Sequence, residues 1–342
     1  IEVTRLIAAN SEVRKQVREE TKWSEKEASG LVLKFDEPVP DPGGLAEFRM
    51  NYFGRPTPIH QQAAVAALED FTNNYVFIFG PTGMGKDTLS GDYAAWRLCP
   101  DRTGLRCGWV MKTGPKAARR LGRLGRYMTD PVAIRRAPDR TPGGAKPSRS
   151  LIDDYGPFKW EPGMVWEDGT EVHRPAWASD QMYFVRAVAP EQDPNWQAIG
   201  VEQSVYGDRI DEGVCSDIFD LENQKSPTER ANQIRWFNGT FHSRLDEAGR
   251  LVMIGTWLPI EHNYEPILER YTADARVLKV DRYGPGTYTK YSNGVAVVIV
   301  KAITQHPDTG EDVSYWPDRF PLEDPLVSPD ERRRVVADTL SD

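Results

Sequence analysis

Asn74-Tyr-Val-Phe-Ile-Phe-Gly80-Pro-Thr-Gly-Met-Gly85-Lys86-Asp87-Thr88 is the stretch that decides how the chain reads. The apolar run Val76 to Phe79 predicts a buried strand, the glycines a tight loop, and Leu89 to Leu98 a helix. Strand, glycine loop, lysine and helix in that order form a cradle for phosphates. Gly80, Gly83 and Gly85 tolerate φ > 0, so successive backbone N–H groups can turn inward on an anion. Pro81, Thr82 and Met84 complete the loop, Lys86 reaches terminal phosphate oxygens as a point charge, and the helix aims its positive end at the same place. Such loops ordinarily follow the lysine with Ser or Thr, whose hydroxyl ligates magnesium. Here Asp87 stands in that position and Thr88 comes one later, so either could be the metal ligand.

Working outward, the 342 residues suffice for one large or two ordinary domains, and 39% hydrophobic with 27% charged residues is a globular composition. No apolar run approaches the roughly 20 residues of a membrane span. The chain opens at Ile1 with no methionine and no apolar leader, which is expected of a fragment or a trimmed chain. Cys99, Cys107 and Cys215 lack metal-ligand spacing and read as reduced thiols, consistent with a cytoplasmic protein. The net charge of −8 excludes a generally basic nucleic-acid coat. Yet Lys112 to Arg149 holds eleven Lys/Arg against two Asp, a stripe that reads as a polyanion-facing surface or as a solvated helix face with a loop.

Residues 1–48 are charged, close on Pro38, Pro40 and Pro42, and are read as a helical N-terminal extension without chemistry. Pro58-Ile-His60-Gln61 precedes an apolar helix, Ala63 to Phe71. The Gln61 amide can offer a donor and an acceptor to an adenine edge, with Tyr52 or Phe53 as stacking platform; His60 reads as a capping or packing residue. Cys107 to Met111 is a second short strand, followed by Lys112-Thr-Gly-Pro-Lys116 and an arginine-rich helix, Ala117 to Met128. Residues 137–150 read as a loop, and Met182 to Val188 as strand or hairpin. Paired acids after an apolar strand are needed to hold magnesium and activate water. The candidates are Asp211-Glu212, after a strand interrupted by Asp208 and Arg209, and Asp217, after Val214-Cys-Ser216. Leu251 to Thr256 is a clean strand that delivers Thr256 as a γ-phosphate sensor.

This ordered set resembles the ATPase domain of the large terminase subunit of tailed bacteriophages, over roughly residues 55–325. Two further matches are Leu221-Glu-Asn223-Gln-Lys-Ser226-Pro-Thr-Glu-Arg230 and Tyr315-Trp-Pro-Asp-Arg-Phe320. The offsets of Asn223, Ser226 and Arg230 favour Asp217 over Glu212 as the second acid, which leaves Ser216 where the family has a metal-holding carboxylate. Asp87 and Ser216 are thus exchanged relative to the family pattern, and Asp87 is expected to restore the carboxylate lost at 216.

The resemblance implies an α/β fold, a P-loop NTPase of the ASCE/RecA-like kind: a mainly parallel sheet with helices on both faces. It implies an extension over 1–48, the ATPase domain over 49–325 and a linker over 326–342 toward a nuclease domain not present in this chain. It implies ATP and Mg2+ as cofactors, with Lys86, Glu212 or Asp217, and Thr256 as catalytic residues, and Asp87, Thr88, Asp211 and Asp217 as metal-side candidates. The implied partners are double-stranded DNA, gripped by Arg119, Arg120, Arg123 and Arg126, the portal or prohead, the small terminase subunit and other copies in a ring. No membrane is involved and the setting is the host cytoplasm. A helicase-like motor and a nucleotide-binding assembly module with little hydrolysis remain the alternatives.

Overall fold

The computed structural model describes residues 32–34, 38–101, 103–129, 143–185, 193–201, 209–258, 261–305, 309–317 and 322. In chain order the elements are β1 (Val32–Leu33), α1 (Leu45–Phe53), α2 (Ile59–Glu69), β2 (Tyr75–Phe79), α3 (Lys86–Leu98), β3 (Cys107–Met111), α4 (Gly114–Thr129) and α5 (Leu151–Tyr155). Then come β4 (Val165–Trp166), β5 (Gln181–Met182), β6 (Trp196–Gly200), β7 (Ile210–Ser216), α6 (Pro227–Arg235), β8 (Leu245–Gly255) and α7 (Tyr264–Thr272). The chain closes with β9 (Val277–Tyr283), β10 (Gly286–Tyr291), β11 (Val295–Val300), β12 (Ile303–Gln305) and β13 (Asp312–Ser314).

Nine strands form one mixed sheet in the order β5-β6-β3-β7-β8-β2-β11-β10-β9. The six from β6 to β11 pair in parallel, while β5, β10 and β9 join the margins antiparallel. The sheet is therefore mixed, where the sequence led to a mainly parallel one. The sequence reading had assigned nothing to the three strands over residues 277–300.

Strands β2 and β3 are apolar along their length because both faces of the sheet are covered there. Alternate side chains of β2 go to opposite layers. Val76 and Ile78 join a core with α1 to α4, and Phe77 and Phe79 join a second core with Trp236, Phe237, Phe241 and the α7 residues Tyr264 and Ile267. Helix α1 crosses the boundary drawn at residue 48: Leu45 and Phe48 are fully buried in the first core. The expected extension is thus part of the packed body from residue 45, and residues 1–31, 35–37 and 326–342 lie outside the described residues.

Register places the site. Phe79 pairs with Gly255, and Ser216 with Ile254, so the carboxyl ends of β2, β7 and β8 lie at one edge of the sheet. The loops leaving them converge there, as is general for open parallel sheets. Gly255 permits this convergence, since a Cβ there would come within 2.5 Å of the Tyr264 ring.

Candidate functional site

The glycine-rich loop 80–85 leaves β2 and turns directly into α3, which begins at Lys86 rather than at Leu89. Gly83 and Gly85 take φ of +82° and +85°, a conformation that favours glycine. No side chain caps α3, and although the Thr88 N–H donates to the Gly85 carbonyl at 3.0 Å, the helix start can still present N–H groups to an anion. Lys86 Nζ folds back to donate to the carbonyls of Gly80 (3.1 Å) and Pro81 (3.0 Å) and is only 5% exposed.

Two helix-start residues brace the loop from behind. Gln61 Nε2 donates to the Met84 carbonyl at 2.7 Å, and the His60 ring lies 3.3 Å from the same oxygen. His60 packs against Tyr315 and Trp316, and the Tyr315 hydroxyl donates to the Thr82 carbonyl at 3.1 Å. The closing segment of the sequence thus reaches the loop, although Asp318 to Phe320 lie outside the described residues. Tyr52 and Phe53 are not a stacking platform: both are buried against Phe48, and the Tyr52 hydroxyl bonds Asp154 and Tyr155.

Facing the loop is a cavity of about 1120 Å³. Its walls include Gly83, Lys86, Asp87, Thr88, Asp217 and Thr256. Asp217 is the first residue after β7 and takes φ of +43°, the one described non-glycine residue in that region. Its N–H donates to the Ile254 carbonyl at 2.9 Å. Burial raises its carboxyl pKa above the usual range, against the opposing pull of Lys86, the Thr256 N–H and Arg120. Burial likewise lowers the Lys86 pKa, against the pull of Asp217. Burial outweighs the mutual attraction of the two groups, and a metal-bearing phosphate chain would supply both signs at once.

Asp87 and Ser216 meet, as the exchange of positions anticipates. Ser216 Oγ donates to Asp87 Oδ1 at 2.9 Å, and Arg120 of α4 pairs with the other carboxylate oxygen. Among the described residues no group of three His, Cys, Asp or Glu could hold a metal unaided. The hard oxygen set of Asp87, Ser216 and Asp217 suits Mg2+ that brings phosphate oxygens with it.

Asp211 and Glu212 do not reach the cavity. They begin β7, so the pair lies four strand residues or more from Ser216, about 13 Å at 3.3 Å per residue. Asp211 accepts from Arg106 Nη2 at 2.6 Å and Nε at 2.9 Å; Glu212 accepts from Tyr93 Oη and Arg97 Nε, both at 2.7 Å. Their role is to pin the amino end of the sheet. Asn223, Ser226 and Arg230 also have local work: Asn223 ties the turn at Asp220, Ser226 caps α6, and Arg230 donates to the Gln224 carbonyl.

Arg119, Arg120, Arg123 and Arg126 line the phosphate-loop cavity itself, not a separate surface. Asp220 and Glu222, which the sequence reading did not select, stand at the rim and share Lys112, whose Nζ lies 2.8 Å from each. Their signal was their spacing three and five residues past Asp217. The three cysteines are buried and unbridged, and no helix among the described residues is long and apolar enough to cross a membrane. No known protein-family profile matches the chain, and comparison with curated proteins finds no significant relative.

Proposed function

We propose that the chain is a nucleoside triphosphatase, best read as the ATP-hydrolysing motor domain that drives double-stranded DNA into a viral prohead. The observation that carries the reading is the meeting of Lys86, Asp217 and Thr256 at one cavity mouth under an uncapped helix. The loop and α3 bind the phosphates, and Lys86 transfers its hydrogen bonds from Gly80 and Pro81 to phosphate oxygens. Mg2+, bound through Asp87, Ser216 and the phosphates, would neutralise developing charge. Asp217 holds the metal or orients the attacking water, and Thr256, whose N–H faces the Asp217 carboxylate, reports the terminal phosphate to β8. The arginine row on α4 places cations beside the same phosphates, so contact with a DNA backbone at the rim would be felt directly at the nucleotide. Portal, small-subunit and ring partners belong to this proposal through the terminase resemblance.

A second reading, nucleotide binding with little turnover, is favoured by one feature: both oxygens of Asp87 are already engaged, by Ser216 and Arg120. Mg2+-dependent ATP hydrolysis at high protein concentration, with and without duplex DNA and beside Lys86→Ala, separates the two. Turnover that vanishes in the variant supports the motor. ATP binding without turnover, alone and on proheads, supports the binding module. Strand separation on a forked duplex would point instead to a helicase.

A further inference from the structure

We infer that Arg120 is an internal stand-in for the nucleotide's metal, and that entry of metal-bound triphosphate moves it from Asp87 to the terminal phosphate. The inference rests on the nucleotide reading above and deepens it.

Three observations carry it, with one physical argument. The residue at the metal-ligand position is a carboxylate, Asp87, not the usual hydroxyl. That carboxylate has Ser216 Oγ on Oδ1 and the Arg120 guanidinium on Oδ2, so the position already holds a positive charge. A divalent cation arriving at Asp87 competes with the guanidinium for the same carboxylate, and the two cations repel each other at a few ångströms in a partly dry cavity. Finally, Arg120 has somewhere to go: its side chain is 35% exposed and lines the cavity that the phosphate loop faces.

Arg120 is distinguished from its neighbours by this tether. Arg119 Nε donates to the Pro115 carbonyl of its own helix, and Arg123 donates to the Tyr127 hydroxyl and lies over that ring. Arg120 alone in the row bridges α4 to the start of α3. A terminal phosphate would take over the role of Asp87, and the planar fork of the guanidinium fits two phosphate oxygens. The exchange leaves every charge with a partner of opposite sign: Mg2+ takes the place of the guanidinium on Asp87, and the guanidinium pairs with phosphate. Arg120 acts in this scheme within its own subunit, as a group that touches substrate only after the metal arrives.

The test is equilibrium binding of ATP and of ADP to the full chain across a Mg2+ titration, in wild type, Arg120→Ala, Arg120→Lys and Lys86→Ala. Thermal unfolding checks that each variant folds. In Arg120→Ala the Mg2+ concentration for half-maximal nucleotide binding should fall about tenfold, within the usual span of coupling between two sites. At saturating Mg2+ its ATP affinity should drop more than its ADP affinity, since the terminal phosphate loses its contact. Arg120→Lys, which keeps the charge and loses the fork, should retain the wild-type Mg2+ dependence and weaken ATP binding. An unchanged Mg2+ midpoint in a folded Arg120→Ala, with binding still lost in Lys86→Ala, overturns the exchange and leaves the nucleotide reading standing. Failure of wild type to bind ATP at any Mg2+ concentration overturns both.

Discussion

Strand β7 carries acids at both ends. At its amino end Asp211 and Glu212 are matched to Arg106, Arg97 and Tyr93 with distances of 2.6 to 2.9 Å. At its carboxyl end Asp217 sits in a left-handed backbone conformation, with burial raising its pKa and a cationic cavity in front of it. The residue types are the same and the circumstances opposite. A carboxylate held by close side-chain partners has little left to bind, whereas one with a strained backbone and a pKa raised by burial beside an open cavity is a candidate for chemistry.

The sharpest way to break this contrast is to neutralise Asp217. Asp217→Asn should lower ATP turnover by about 10³-fold, comparable with losing a preorganised charge from a reaction site. Its effect on stability should be small or favourable. A carboxyl with a raised folded pKa stabilises the fold below its unfolded pKa, and that contribution is lost as pH rises through the folded value. Removing the charge should therefore relieve a cost that grows with pH, and the melting temperature of Asp217→Asn relative to wild type should improve from pH 5 to pH 8. A variant that unfolds instead would place Asp217 among the structural acids.

Glu212 should behave the other way. Glu212→Ala removes a carboxylate that is 2% exposed and takes the acceptor from the Tyr93 hydroxyl and the counter-ion from the Arg97 guanidinium. Breaking such a buried pair should cost about 3 kcal/mol in a denaturant titration. Turnover per folded molecule should stay within about threefold of wild type, since only losses beyond 1.4 kcal/mol reach tenfold. A stable Glu212→Ala with no hydrolysis would restore Asp211-Glu212 as the reacting pair.

Sequence alone could not have decided between these ends. The motif asks for adjacent acids after an apolar strand, and Asp211-Glu212 satisfies it literally. What disqualifies the pair is its partners: Arg97 and Tyr93 lie more than 100 residues away along the chain, and only folding brings them together. The strand, glycine-rich loop and helix over residues 75–98 were legible because their signals are local. Val76 to Phe79 and Cys107 to Met111 fall within the observed strands β2 and β3. The arginine row was legible on its helix but its place beside the glycine-rich loop was not, because helical spacing tells which residues share a face and not what that face meets. Strands β9 to β11 went unread, though Val295 to Val300 is a plain apolar run, because no expected motif lay there.

The carboxyl end also leans on props of its own, and these test whether function there is separable from structure. Gln61→Ala deletes the 2.7 Å bond to the Met84 carbonyl and should cost about 1 kcal/mol of stability. Nucleotide affinity should fall about fivefold, because the loop must then be ordered by its ligand. Isothermal titration with ATP and ADP checks this. Equal losses for the two nucleotides would locate the effect in the loop, while a loss confined to ATP would mean that Gln61 acts on the terminal phosphate.

Tyr315→Phe is the finest probe. It removes one hydroxyl, 3.1 Å from the Thr82 carbonyl, and keeps the ring that packs edge-on against His60. Stability should change by about 0.5 kcal/mol, the low end for a single neutral hydrogen bond. The informative quantity is hydrogen exchange at residues 80–88. If the closing segment holds the loop, amides there should exchange several-fold faster in the variant while those of β7 near Glu212 do not change, since local opening follows local contacts. Faster exchange at both ends would mean that the two ends of β7 are one cooperative unit, and that the contrast between them is one of chemistry alone.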